Sequence, residues 1–330
     1  MDNLGAKLGG LSLSVVISFK NEAETIPLLW MRLKESLESQ GLNNFQVILV
    51  NDASTDNSRL ECETLASEDH RIVVLNTTRS FGNSECVIAG FQYAKGDLIA
   101  YLDADLQDPP ELLPKLLHHQ IVTGADVIHT KRIQRHGESR IKKIVTRFGY
   151  MYLQKFMQPP IPMEMGDFKL LTKRVVRNIL AHQEPYPFLR GIIENLSFPS
   201  SYVEYERQPR FNGQQNTKFQ VFGKKWFRSH TNSTLISFSD APLKLALKLG
   251  LTFASLAFIS IPVALYLKYK GLAVPGWSGL VILISFFSGV NLLFMGVLGL
   301  YLNSIFIATR KRPMYVIESI MSDGELKLLE

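Results

Sequence analysis

Residues 100–112 read AYLDADLQDPPEL. An apolar run ends in two carboxylates at i and i+2, Asp103 and Asp105; a third, Asp108, follows, then two prolines. Strand alternation points Asp103 and Asp105 to the same side. Acids this close repel one another unless something cationic sits among them. Paired oxygen ligands suit Mg2+ or Mn2+, which take a few carboxylates and leave room for waters and substrate phosphates. Asp108-Pro109-Pro110-Glu111 has the form of a helix start, with an acid near the N-cap and proline in the first turn. The third acid therefore reads as structural.

Outward from this stretch, short apolar runs alternate with helical spacing. Residues 11–18 (LSLSVVIS), 45–51 (FQVILVN), 71–76 (RIVVLN), 98–103 (LIAYLD) and 125–130 (ADVIHT) read as strands apolar on both faces, as in a covered parallel sheet. Residues 24–39, 56–67, 83–94 and 110–123 read as helices. Strict β-α alternation predicts a doubly wound α/β sheet, in which ligands bind at the carboxyl ends of strands. The informative residues are then those just past each strand: Lys20-Asn21-Glu22, Asn51-Asp52-Ala53-Ser54 and Asp103-Ala104-Asp105. A basic segment, 131–147, follows the fifth strand. The run PPIP at 159–162 breaks the chain before what reads as a smaller α+β portion, 163–205.

The chain has 330 residues, enough for one large domain or two smaller ones, and is 46% hydrophobic. Most of the apolar excess lies after residue 242. Cys62 and Cys86 read as free buried thiols in a reducing compartment. No cleavable signal peptide is expected at the start, because the run 11–19 is too short and reads as a strand. The net charge of +6 is unevenly spread: the first 120 residues are acidic and the remainder basic. Such a chain can hold a metal in one half and phosphates or an anionic bilayer in the other. Nucleic acid is not expected, since the membrane signal accounts for the basic half. Residues 249–267 and 279–307 carry no charge and exceed the ~18 residues that mark a membrane-spanning candidate. Trp277 and Tyr301 sit near their ends, as interfacial aromatics do. Lysines and arginines cluster before the first span and at Arg310-Lys311-Arg312, which predicts a catalytic domain and C-terminus on the cytoplasmic side. The expected division is a catalytic domain at 1–218, an interfacial segment at 219–242, a two-helix transmembrane hairpin at 243–309 and a cytosolic tail at 310–330.

The stretches VVISFKNEAETI (15–26), VNDASTDNS (50–58), 76–112 around the acids, MGDFKLLTKRVV (165–176) and GLYLNSIFIATRKRPMYVI (299–317) resemble the GT-A, family 2 glycosyltransferases that charge a polyprenyl phosphate, the dolichyl-phosphate mannose synthases and their bacterial polyprenyl-phosphate glucosyltransferase relatives. The resemblance implies a GT-A fold and an inverting transfer of one sugar from a nucleotide-sugar, UDP-glucose favoured, to undecaprenyl or polyprenyl phosphate. It implies Mg2+ or Mn2+ on Asp103 and Asp105; a nucleotide-sugar site of Phe19, Asn21, Glu22, Asp52, Arg79, Asp103, Ala104 and Gln107; and catalytic roles for Asp105 and for Asp167, which stands where such enzymes place a base. The acceptor is a phosphate monoester with a second pKa of about 6, so it needs little deprotonation, and Asp167 has an alternative role in orienting substrate. Lipid-phosphate contacts fall to Arg132, Arg135, Arg140, Arg190, Arg210 and Lys218. The segment 210–219 departs from the family pattern, with Thr217-Lys218 where Ser-Lys is usual. Two spans per chain leave room for packing between copies, as a dimer or tetramer. Competing expectations are a protein or glycan acceptor, GDP-mannose or a UDP-amino-sugar as donor, and an inactive transport or scaffolding protein. Intact Asp52, Asp103, Asp105 and Asp167 argue against the last.

Overall fold

The computed structural model describes residues 10–133, 165–182, 187–209, 252, 269–270, 276–309 and 313–328. The described residues through 209 and those from 313 onward belong to one compact unit; 252, 269–270 and 276–309 belong to a second.

The first unit is built on one nine-stranded sheet. The predicted strands form β1 (Leu13–Phe19), β2 (Phe45–Asn51), β3 (Ile72–Thr77), β4 (Leu98–Asp103) and β5 (Val127–Arg132). Four of these pair in parallel as β3-β2-β1-β4. All seven residues of β1 are buried, because helices cover both faces. Between the strands run α1 (Ile26–Glu38), α2 (Ser58–Glu68), α3 (Asn83–Tyr93) and α4 (Leu113–Thr123), the last preceded by a 3-10 turn at Pro110–Leu112. Gly124 ends α4 in the left-handed conformation, φ 65°, where a Cβ would be strained.

The portion 163–205, which reads in the sequence as a smaller α+β part of the catalytic domain, joins the main sheet. β6 (Met165–Thr172) enters antiparallel between β4 and β5, followed by α5 (Lys173–Ala181), α6 (Leu189–Asn195) and edge strand β7 (Ser200–Tyr205). The residues expected as a C-terminal tail also join the sheet. β8 (Ile317–Ser322) pairs antiparallel with β3, and β9 (Glu325–Leu328) closes the edge.

Strand order reverses between β1 and β4. The carboxyl ends of these two strands, Phe19 and Asp103, therefore flank the switch point where open α/β sheets bind ligands. Beside it α3 lies close on the sheet, since Gly90 leaves no side chain in the way.

In the second unit, α7 (Trp277–Thr309) is a single helix of 33 residues without an acidic or basic side chain. At 1.5 Å per residue it is about 50 Å long. Among the described residues, no helix is long and apolar enough to cross a membrane. Of the first predicted span only Thr252 is described, so the first helix of the predicted hairpin lies outside the described residues.

A Cβ built on Gly90 would stand 2.3 Å from Val16 Cγ1 and 3.1 Å from Val50 Cγ2. Gly90→Ala is expected to destabilise the first unit by about 1–3 kcal/mol, as overpacking does. A urea titration checks this; an unchanged midpoint would mean that α3 stands off the sheet.

Candidate active site

A cleft at the switch point is lined by Ser18, Phe19, Lys20, Glu22, Asp52, Asn83, Asp103, Ala104 and Asp105. Three loops at strand ends supply these residues, and each is locally braced. After β1, Asn21 turns the chain with φ 57°; its side-chain oxygen accepts the Thr55 N–H at 2.8 Å. Glu22 is buried, receives the Thr25 hydroxyl at 2.9 Å, and its own N–H donates to Ser58 Oγ.

After β2, Asp52 is 7% exposed. Its carboxylate accepts the Ser80 hydroxyl at 2.6 Å and the Phe81 N–H at 2.7 Å, with the Gly82 N–H at 3.4 Å. Asp52 thus organises the turn 80–82 that starts α3. Arg79, in the same turn, is exposed and lies 4.0 Å over the Phe81 ring. Asn83, the first residue of α3, donates to Asp103 Oδ1 at 3.0 Å and is hydrogen-bonded to Ser18.

After β4, Asp103 and Asp105 both open onto the cleft. Asp105 accepts the Gln107 N–H at 3.1 Å, and Leu106 takes φ 56° to make that turn. Desolvation first, then the charges of Asp167 and Asp105, push the Asp103 carboxyl up to about 7. No group of three or more His, Cys, Asp or Glu that could hold a metal occurs among the described residues. Two carboxylates with excess negative charge fit a divalent cation that completes its shell from water and phosphate oxygens.

Asp108 is structural, as expected, but not as a helix cap. It is fully buried, hydrogen-bonded to the Tyr205 hydroxyl, with Arg132 and Arg207 each 3.6 Å away. Arg132 also donates from Nε to Tyr205 Oη at 3.1 Å. Of the six cations expected to meet a lipid phosphate, Arg132 is therefore committed to Asp108. Arg135, Arg140, Arg210 and Lys218 lie outside the described residues.

Arg190 and Asp167 form one forked pair, Nε to Oδ1 at 2.5 Å and Nη2 to Oδ2, with the side chains 26% and 29% exposed. Burial raises the Asp167 carboxyl, but the hydrogen bonds and charge of Arg190 outweigh it and hold the group below its ordinary value. Behind this pair, on the same face of β6, Lys169 is fully buried and donates to His129 Nδ1 at 3.0 Å. Burial and the neighbouring Lys169 hold His129 down at about 3, so its ring is neutral. Its Nε2 faces Glu194 at 3.5 Å. Burial and then the Arg190 charge lower Lys169 to about 8. The sequence reading missed this triad, although Lys169 stands two residues from Asp167 in a strand and so shares its face. It also left Ser18 and Asn83 out of the site. Only the position of the α3 N-terminus could have revealed them.

A mixed sheet covered by helices, with an acidic cleft at its switch point, is an α/β architecture of the kind that binds ligands there. The chain belongs to glycosyl transferase family 2, whose profile matches residues 14–180, and it is a glycosyltransferase. The uncharacterized glycosyltransferase YkcC of Bacillus subtilis (strain 168) is 33% identical over 92% of this chain and 93% of that protein. The prophage bactoprenol glucosyl transferase homolog of Escherichia coli (strain K12) is 34% identical over 94% of this chain and 99% of its own length. The bactoprenol glucosyl transferase of Shigella phage SfV is 33% identical over the same shares.

Asp52→Ala leaves the Phe81 and Gly82 N–H groups without their acceptor. It is expected to lower stability by about 1–2 kcal/mol, the cost of stranding partly buried donors, and to raise amide exchange across 78–83. Hydrogen-exchange mass spectrometry reads the second effect; protection unchanged in that turn would contradict the assignment.

Proposed function

We propose that the protein transfers a single sugar, with UDP-glucose the first donor to test, to polyprenyl phosphate with inversion at the anomeric carbon. The observation that carries this reading is the acidic cleft at the switch point, where Asp103 and Asp105 stand at the end of β4 and Asp167 on the neighbouring β6. The names of relatives matched over nearly the whole chain support the acceptor class.

In this reading Asp103 and Asp105 hold Mg2+ or Mn2+. The bound ion would neutralise charge on the departing nucleoside diphosphate. The loop of Phe19, Asn21 and Glu22 lines the base and ribose. Asp52, with lone pairs left after its three loop contacts, accepts from the base. Ala104 and Gln107 shape the turn beside the acids, and Arg79 contacts donor phosphate or sugar from the exposed side. The acceptor phosphate is a dianion near neutral pH. One of its oxygens forms the bond to the anomeric carbon as the bond from that carbon to the diphosphate breaks, and no proton has to move. Asp167 is then not needed as a base. It holds the Arg190 fork at the cleft, where the guanidinium meets the incoming phosphate. Arg135, Arg140, Arg210 and Lys218 complete the cationic surround, with Arg132 held back by Asp108.

The membrane arrangement is part of the proposal: domain 1–218, interfacial segment 219–242, hairpin 243–309 and a return at 310–330, with copies packing as a dimer or tetramer. Chain connectivity supports an even number of crossings. The chain leaves the sheet at β7 and re-enters it at β8, so anything between that crosses a bilayer crosses back. If α7 is one crossing, residues 249–267 are the other. The lysine and arginine asymmetry supports a catalytic unit on the cytoplasmic face of the cell membrane.

Incubation of the full chain with undecaprenyl phosphate, UDP-glucose and Mn2+ is expected to give a lipid-linked monohexose by mass spectrometry. Turnover should fall at least about 100-fold in chelator or in the Asp103→Asn, Asp105→Asn double variant, the scale on which such electrostatic groups act. Undiminished turnover in chelator, or transfer to peptide or glycan with none to the lipid, would overturn the proposal.

A further inference from the structure

Three buried polar side chains lie in one row across the sheet and join the C-terminal hairpin to the cleft. Asn51, Asn76 and Ser319 are register partners on β2, β3 and β8. Their exposures are 2%, 1% and 0%. Ser319 Oγ accepts from Asn76 Nδ2 at 3.1 Å, and Asn76 Oδ1 accepts from Asn51 Nδ2 at 2.9 Å. At the cleft end, Asn51 Oδ1 accepts the Ser54 N–H at 2.9 Å, and Ser54 Oγ accepts the Asn21 N–H at 3.0 Å. A backbone N–H can only donate. Ser54 therefore fixes which end of the Asn51 amide is oxygen, and Asn51 fixes Asn76 in turn. No amide in the row can flip without breaking its neighbour's bond.

The loops at the cleft end need this support. Asn21 and Ala53 flank Glu22 and Asp52, with φ of 57° and 49°. Residues with a Cβ hold such conformations only where the surroundings over-determine them. β8 is gripped a second time from α2: Arg59 reaches Glu318 at 3.1 Å and Ser319 Oγ at 3.4 Å. The same Arg59 holds Glu63 at 2.8 Å, which accepts from Asn76 at 3.2 Å.

We propose that β8 is a positioning element for the donor loop 51–54, with Ser319 as its buried contact. Nucleotide affinity then depends on a strand supplied from beyond α7. The inference rests on the donor reading of the cleft. Ser319 does not touch the donor; it acts through Asn76 and Asn51, and neither the acceptor side nor the reacting atoms lie on its path.

The test compares Ser319→Thr with Ser319→Val in the full chain. The two side chains share a shape, and only threonine keeps the hydroxyl. Binding of UDP with Mn2+ is measured by calorimetry, with GDP in its place should that be the nucleotide the unaltered chain binds. Ser319→Thr is expected to bind within about twofold of the unaltered chain and Ser319→Val about fivefold to tenfold more weakly, the worth of one buried hydrogen bond. The acceptor KM and the kcat at saturating donor should stay unchanged in both. Equal nucleotide affinity in the two variants overturns the inference, as does a loss shared equally between donor and acceptor KM. Should Ser319→Val not fold, Ser319→Ala against the unaltered chain makes the same comparison under the same criteria. A chain that turns over sugar normally while Ser319→Val binds like Ser319→Thr sinks this inference alone. An unaltered chain that binds neither UDP nor GDP sinks the donor reading and this inference with it.

Discussion

Like charge held at the carboxyl edge of one sheet is the constraint around which the catalytic unit is organised. Asp103 ends β4, Asp105 follows in the next turn, and Asp167 reaches the same edge from β6. Two unit charges about 4 Å apart repel by about 1 kcal/mol in water and about 4 kcal/mol near a protein surface. The fold offsets this unevenly. Asp167 receives the full fork of Arg190, and Asp108, buried deeper, is met by Arg132, Arg207 and the Tyr205 hydroxyl. Asp103 receives one amide N–H from Asn83, and its carboxyl stays raised. The unrelieved repulsion therefore falls on Asp103 and Asp105, on the open side of the cleft where a cation and a diphosphate have room.

The sheet makes this arrangement rigid. Parallel pairing of β1 with β2 and β4 lines up three loops at one edge, and each is tied to the next. Asn21 bonds to Thr55, Asp52 to the turn before α3, and Asn83 to Asp103. The antiparallel entry of β6 beside β4 carries Asp167 to the same edge, and α6 brings Arg190 over it. Beneath them the Lys169, His129 and Glu194 cluster buries one cation and one carboxylate around a neutral ring, so that face carries little net charge.

Much of this was legible in the sequence because it is local. Five strands and four helices lie within a few residues of where alternation and helical spacing put them, and the strand ends named Lys20, Glu22, Asp52, Ala104 and the two cleft acids directly. What could not be read depends on pairing between distant segments. Nothing in the pattern of 163–205 says that β6 inserts between β4 and β5. β8 and β9 are short, and β9 is exposed along its whole length, so they carry the signature of a tail until β3 is seen to need an edge partner. The pairing of Arg190 with Asp167, and of Arg132 with Asp108, was hidden for the same reason. Each partner was legible as a charge, but the partnership is a property of the fold.

The central claim is that the Asp103 carboxyl, raised by burial and its acidic neighbours, gives up its proton to a metal. Proton release on titrating Mn2+ into the full chain, measured by calorimetry in buffers of different ionisation enthalpy, tests it most directly. A carboxyl raised to about 7 is largely protonated at pH 6 and must lose its proton to bind the ion. Release of about one proton per Mn2+ at pH 6, falling towards zero at pH 8, is the predicted result, with the pH dependence abolished in Asp103→Asn. Mn2+ binding that releases no proton at pH 6, or that proceeds equally well in Asp103→Asn, would contradict the account.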